Sequence, residues 1–211
     1  MKSATQPQSD PKARRAPRPE REERLLVGPT LGLDVLVLLG DLVDNGLAVG
    51  SADDLLAIRD ALAELEGGAG AVVTASGMGA LTLLTQFLRP GDTIVAPHDC
   101  YGGTYRLFEQ QSLKGLFAVE FVNQTDLDEL RAVCANTRPA IILTESPSNP
   151  VLRVADLAAI REIATDCGAL FAVDNTFLSP ALQNPIQLGA DLVIHSTTKY
   201  INGHSDVVGG A

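Results

Sequence analysis

A lone lysine, Lys199, follows a short apolar run and a Ser-x-Thr pair. Leu192 to Ile194 suit a buried strand; Ser196, Thr198 and Lys199 come next, and Asn202-Gly203 turns the chain. An amine becomes a nucleophile toward an aldehyde where a dry site lowers its pKa. Two hydroxyls separated by one residue can donate to a phosphate. Together these groups fit pyridoxal phosphate, with the aldehyde on Lys199 and the phosphate on Ser196 and Thr198. Plain solvation of a strand end would use the same residue types, so other groups must decide.

Such groups need a scaffold, and the preceding sequence describes one. Ser51 can cap a helix with Asp53 and Asp54 in its first turn, running through Leu55, Ile58, Leu62 and Leu65 to Gly67-Gly68. Strands are expected at Ala71 to Thr74, Thr93 to Ala96, Leu116 to Val122, Ala140 to Thr144, Leu170 to Val173 and Leu192 to Ile194. Helices are expected from Gly77 through Leu88, from about Gly103 to Gln111, over Leu127 to Ala135 and over Ala155 to Asp166. Strands and helices that alternate with short connections predict an α/β fold with a mainly parallel sheet flanked by helices. Ligands of such sheets bind beyond the carboxyl ends of the strands, so polar residues there should converge.

Each strand end offers a different group. Ser76-Gly77-Met78-Gly79 lies at a strand-to-helix junction, where backbone N–H groups of Gly77 and Met78 can meet an anion. Tight strand–helix packing would also use those glycines. Tyr101, beside Gly102 and Gly103, can lie flat over a planar ring, or be an ordinary half-buried tyrosine in a turn. Glu145 to Pro150 places Asn149 between prolines, a donor and acceptor in a stiff loop that is equally good turn chemistry. Asp174 ends an apolar strand, a costly position unless it is paired; a protonated pyridine nitrogen would pair with it, and capping of the next segment is the alternative. His98 and Cys100 have no partners suited to chemistry in sequence and read as structural.

Composition sets the outer limits. With 45% hydrophobic residues among 211, the sequence can form a substantial core. A net charge of −10 argues against a nucleic-acid partner. Residues 1–24 form an expected disordered basic tail, with seven Lys/Arg against four Asp/Glu. Residues 25–50 have no assignable motif. Their most apolar stretch, Leu31 to Val49, is interrupted by Asp34, Asp41 and Asp44, so no membrane span is expected. Cys100, Cys134 and Cys167 contain no CxxC motif, which suggests neither a disulfide framework nor a metal site and fits a cytoplasmic location. Nothing in Met1 to Arg24 reads as a secretory signal.

With Ser-Gly-Met at 76–78, Tyr101, Ser-Asn-Pro at 148–150, Asp-Asn-Thr-Phe at 174–177 and Ser-Thr-Thr-Lys-Tyr at 196–200, the sequence resembles the Cys/Met-metabolism family of pyridoxal-phosphate enzymes. That family includes cystathionine γ-synthases, cystathionine γ- and β-lyases and O-acetylhomoserine sulfhydrylases, and the detailed likeness is to the first. It covers about Asp53 to Ala211. The resemblance implies the large domain of the fold type I transferases over residues 51–211. It implies Lys199 as the cofactor-bonding and proton-shuttling amine and Tyr101 as the second catalytic residue, stacked on the ring. Asp174 would hold the pyridinium nitrogen. Gly77, Met78, Ser196 and Thr198 would hold the phosphate, and Asn149 would lie near the ring oxygen. The implied reaction is γ-replacement on an O-acyl-homoserine by cysteine, giving cystathionine. Small amino acids would then be the partners, in a homo-oligomer that is tetrameric by family.

Two departures stand against this. Where the family carries Tyr-x-Arg and Gly-Asn-Pro-Thr, this sequence reads Gly46 to Ser51 without either motif, and an altered reading frame or divergent start is one expectation. Family chains are also longer, so the C-terminal domain and its carboxylate-binding arginine are expected to be missing. A lyase or sulfhydrylase of the same family and an inactive cofactor-binding fragment are therefore alternatives. A nucleotide-binding module built on Ser76 to Gly79 is disfavoured, because that loop lacks GxGxxG spacing and a Walker lysine.

Overall fold

The computed structural model describes residues 52–211. The expected tail at 1–24, the segment 25–50 and the Ser51 cap lie outside the described residues.

Helix α1 (Ala52–Glu66) leads into α2 (Gly77–Thr85), and strands and helices then alternate: β1 (Thr93–Pro97), α3 (Gly102–Leu113), β2 (Ala118–Val122), α4 (Leu127–Thr137), β3 (Ile141–Glu145), α5 (Leu157–Cys167), β4 (Leu170–Asp174), the single-turn α6 (Ser179–Leu182) and β5 (Leu192–Ile194). The five strands pair in the order β2-β1-β3-β4-β5, all parallel. Parallel sheets are buried on both faces, which is why β1 and β3 are mainly apolar and wholly buried.

Within those strands the two-residue period divides the core in two. Val95, Ile142, Phe171 and Val173 point to one face, against Leu130 of α4 and Ile160 and Ile163 of α5. Their neighbours Ile94, Ala96, Ile141, Leu143, Leu170 and Ala172 point to the other, against Leu81 and Leu84 of α2 and Phe108 of α3. Local chemistry fixes the helix ends. Asp126 caps α4 by accepting from Asp128 N and Glu129 N, and Asp156 caps α5 by accepting from Ala159 N. Gly168 ends α5 at φ 70°, a left-handed conformation that costs glycine nothing.

The expected strand at Ala71 to Thr74 does not form. A strand needs a ladder partner, and here only Thr74 finds one: it exchanges two antiparallel backbone bonds with Gly210, at 2.8 and 3.0 Å. Helix α2 stops at Thr85 rather than Leu88, because Gln86, Phe87 and Leu88 each bond three residues back in a tightened final turn.

The strand order places a switch point between β1 and β3. From β1 the chain moves outward to β2, then returns to the other side for β3, β4 and β5. The connections leaving β1 and β3 therefore diverge and leave a crevice at the strands' carboxyl ends. These are the connections that carry Tyr101 and Asn149.

Candidate functional site

The cleft at that switch point is lined by Gly77, Met78, Tyr101, Asn149, Asp174, Ser196, Thr198 and Lys199. Those are the residues that the sequence singled out. Glu145, Thr176, Phe177 and Val208 line it too.

The floor is made by two strand ends. Asp174 ends β4 and lies in register beside Glu145, which ends β3. Asp174 Oδ1 accepts from Thr176 N at 3.0 Å. Burial pushes the Asp174 carboxyl up from the ordinary carboxylate range, against the lowering effects of the Thr176 hydrogen bonds and the charge of His195. Burial and the adjacent Asp174 together push Glu145 up to about 7. Among the described residues neither carboxylate forms an ion pair. A floor of two buried acids without a cation is suited to a cationic ring nitrogen.

The N-terminus of α2 forms one wall. Ser76 caps it, its hydroxyl accepting from Gly79 N at 3.1 Å, and the amides of Gly77 and Met78 bond no acceptor among the described residues. Gly77 is required there: a Cβ on it would lie 2.6 Å from Ser196 Cβ, so only glycine lets α2 meet the segment after β5. Thr176 Oγ1 fixes that segment by accepting from Ser196 N at 2.9 Å. Two free amides at a helix N-terminus beside the Ser196 hydroxyl make a cradle for a phosphate. Thr198 differs from expectation. Its hydroxyl donates to Gly209 O at 3.2 Å and accepts from Gly209 N at 3.0 Å, so it must turn from Gly209 before it can serve an anion.

Tyr101, the N-cap residue of α3, forms the adjoining wall. Its ring rests on Gly103, where a Cβ would stand 2.5 Å from Tyr101 Cε1 and 2.8 Å from Met78 Sδ. That close approach fixes the ring's position, and the residue remains 46% exposed. Lys199 corrects a second expectation: it is exposed rather than enclosed in a dry site. Val208, which lines the cleft, and Tyr200, next to the lysine in sequence, are exposed too.

Sequence reasoning passed over Glu145, although a carboxylate ending a buried strand was the signal that picked out Asp174. Behind the cleft it also missed a buried polar network. Glu66 Oε1 pairs with His195 Nε2 at 2.5 Å and accepts from Asn175 Nδ2 at 2.9 Å, while Gln183 Nε2 donates to Asn175 Oδ1 and to Ser146 O. Asn175 precedes Thr176 and His195 precedes Ser196, so the network stiffens the backbone that carries the site. The cysteines read as structural. Burial, with the charge of Glu145, pushes the Cys100 thiol up to about 12, and the hydrogen-bonded Cys167 thiol, with burial, also pushes Cys134 up.

Comparison with known proteins decides the family. The family model described as Cys/Met metabolism PLP-dependent enzyme matches residues 55–211. The chain belongs to that family. It is 62% identical over 154 residues to cystathionine gamma-synthase of Escherichia coli strain K12, a match covering 72% of this chain and 40% of that one. The crystal structure of cystathionine gamma synthase from Xanthomonas oryzae pv. oryzae in complex with cystathionine superposes with a TM-score of 0.72 at 56% identity, over 76% of this chain and 41% of that one. Cystathionine gamma-lyase from Lactobacillus plantarum complexed with L-serine superposes with a TM-score of 0.70 at 38% identity, over 73% of this chain and 40% of that one. The chain thus spans about two fifths of the length of the relatives it matches. Its parallel sheet flanked by helices is the fold that the resemblance implied.

Proposed function

We propose that this chain is the cofactor-binding part of a trans-sulfuration enzyme that replaces the γ-substituent of an O-acyl-homoserine with cysteine to give cystathionine. The observation that carries the reading is the cleft itself: one lysine, an aromatic wall, a helix N-terminus with free amides and an unpaired acidic floor share one crevice.

When bound, pyridoxal phosphate supplies an aldehyde that captures amines and a ring that withdraws electrons from a substrate's α-carbon. The chain's own residues do the rest. Asp174 would hold the proton on the ring nitrogen, because a buried carboxylate is stabilised by a cation placed against it. Gly77 N–H, Met78 N–H and the Ser196 hydroxyl would hold the phosphate, with Thr198 joining once it leaves Gly209. Tyr101 would cover a ring face and exclude water, and the Asn149 side-chain amide would orient the ring oxygen. Lys199 Nζ would hold the cofactor aldehyde; as a free amine it would take one proton from the substrate Cα and one from Cβ. With the Cβ proton removed, the acyl group would leave Cγ as a carboxylate; the cysteine sulfur would then bond Cγ as its thiol proton is lost, and protons would return to Cβ and Cα.

The same reading takes residues 51–211 as one cofactor-binding domain, with a tail at 1–24 and an unassigned segment at 25–50. It places a homo-oligomer, tetrameric by family, in the cytoplasm with amino acids as partners. Among the described residues no helix is long and apolar enough to cross a membrane. A second reading, cofactor binding without turnover, is favoured by the exposure of Lys199 and of its neighbours Tyr200 and Val208. One assay separates the two. The full chain, loaded with pyridoxal phosphate, is given O-acetyl- or O-succinyl-homoserine with cysteine, and products are followed by mass spectrometry. Cystathionine formation supports the first reading. Retained cofactor without product supports the second, and release of ammonia from cystathionine would point to a lyase.

A further inference from the structure

Glu145 is the one acid of the cleft that the proposed function leaves without a task. Its geometry is specific. Oε2 accepts from Tyr101 N at 2.8 Å and Oε1 accepts from Asn149 N at 2.7 Å, so each oxygen holds one of the loops that diverge at the switch point. Helix α3 has no side-chain cap of its own and no acid in its first turn, so the Glu145 carboxylate supplies from another strand the negative charge its N-terminus favours. The side chain is 8% exposed and cannot exchange these bonds for water.

We propose that Glu145 is a positioning residue: its two oxygens clamp the Tyr101 and Asn149 loops at the width a bound cofactor needs, and its ionisation is coupled to cofactor binding. The inference rests on the cofactor reading above for its second half only. A carboxylate can accept on both oxygens, whereas a neutral carboxyl group keeps one good acceptor. With its titration near 7, Glu145 changes between those states at neutral pH. The groups that face it are Asp174 from β4, Asp99 and Cys100 from the β1–α3 connection, and Lys199 across the cleft; the two aspartates disfavour its charge. A cation resting on Asp174 offsets part of that repulsion and lets Glu145 ionise. Cofactor affinity therefore falls as pH drops through about 7.

The test uses the full chain and two readouts. By NMR without cofactor, the Glu145 carboxyl carbon should titrate near pH 7, with the amides of Tyr101 and Asn149 following at the same midpoint. A carboxyl that titrates as an ordinary glutamate while both amides stay constant would overturn the clamp. By absorption, Glu145→Gln should bind pyridoxal phosphate about tenfold more weakly, the scale of one lost charge-assisted hydrogen bond. It should also lose the extra fall in affinity between pH 8 and pH 6 that the unaltered chain shows. Equal affinities with equal pH dependence would overturn the coupling. If the unaltered chain binds no pyridoxal phosphate, the cofactor reading fails and the coupling with it, while the amide titration still decides the clamp. The same titration decides it if the Gln variant does not fold.

Discussion

At the scale of single residues, the cleft stores unfavourable charge that a ligand would relieve. Asp174 is pushed up by burial, so its ionised form weakens the fold wherever nothing cationic faces it. Asp174→Asn should therefore bind pyridoxal phosphate ten- to a hundredfold more weakly, roughly the scale of a lost buried charge-assisted bond. Its cofactor-free melting temperature at pH 8 should not fall, which differential scanning calorimetry would check; a clear drop would mean that Asp174 serves the fold. For Glu145 the sign can be worked through. Its pKa rises from an ordinary 4.5 to about 7, so the neutral form favours the fold below pH 4.5, and that contribution is lost as pH climbs through 7. The loss is at most about 3 kcal/mol. Melting temperature should fall more steeply from pH 5 to pH 8 in the cofactor-free chain than in Glu145→Gln, and parallel slopes would contradict this. Lys199, Ser196 and Asp174 were legible because unusual residue types ended apolar strands. Glu145 offered the same signal, but its partners, Tyr101 N and Asn149 N, lie 44 and 4 residues away and only folding reveals that one side chain reaches both. The exposure of Lys199 was not legible at all, since it depends on what stands across the cleft.

At the scale of elements, local chemistry was a good guide where a helix or strand is specified by its own residues. Asp126 followed by Asp128 and Glu129 announces the start of α4, and the structure uses it through two bonds to Asp128 N and Glu129 N. Asp126→Ala should lower stability by about 1 kcal/mol in urea unfolding and leave cofactor binding unchanged. A loss of binding would show that α4 reaches the site, which the separation of the two core faces does not allow. Guidance failed where a partner is required. Ala71 to Thr74 has strand-like residues, yet only the Thr74–Gly210 bridge forms. The short α6 escaped notice because Pro180 in its first turn and Gln183 at its end leave no periodic pattern to read.

At the scale of the whole molecule, alternation of strands and helices announced the α/β class, but strand order came only with the structure. The order matters, because the reversal between β1 and β3 opens the crevice in which residues from 77 to 199 meet. Two carboxylates from neighbouring strands, one helix N-terminus and one lysine converge there, and the buried Glu66–His195–Asn175 network holds the floor from behind. The most direct test of this assembly is the visible absorption of the purified chain with added pyridoxal phosphate, compared with Lys199→Ala. A yellow, borohydride-reducible covalent adduct in the unaltered chain and its absence in the variant are the predicted result. A folded chain that forms no adduct, or one that forms it equally without Lys199, would contradict the account.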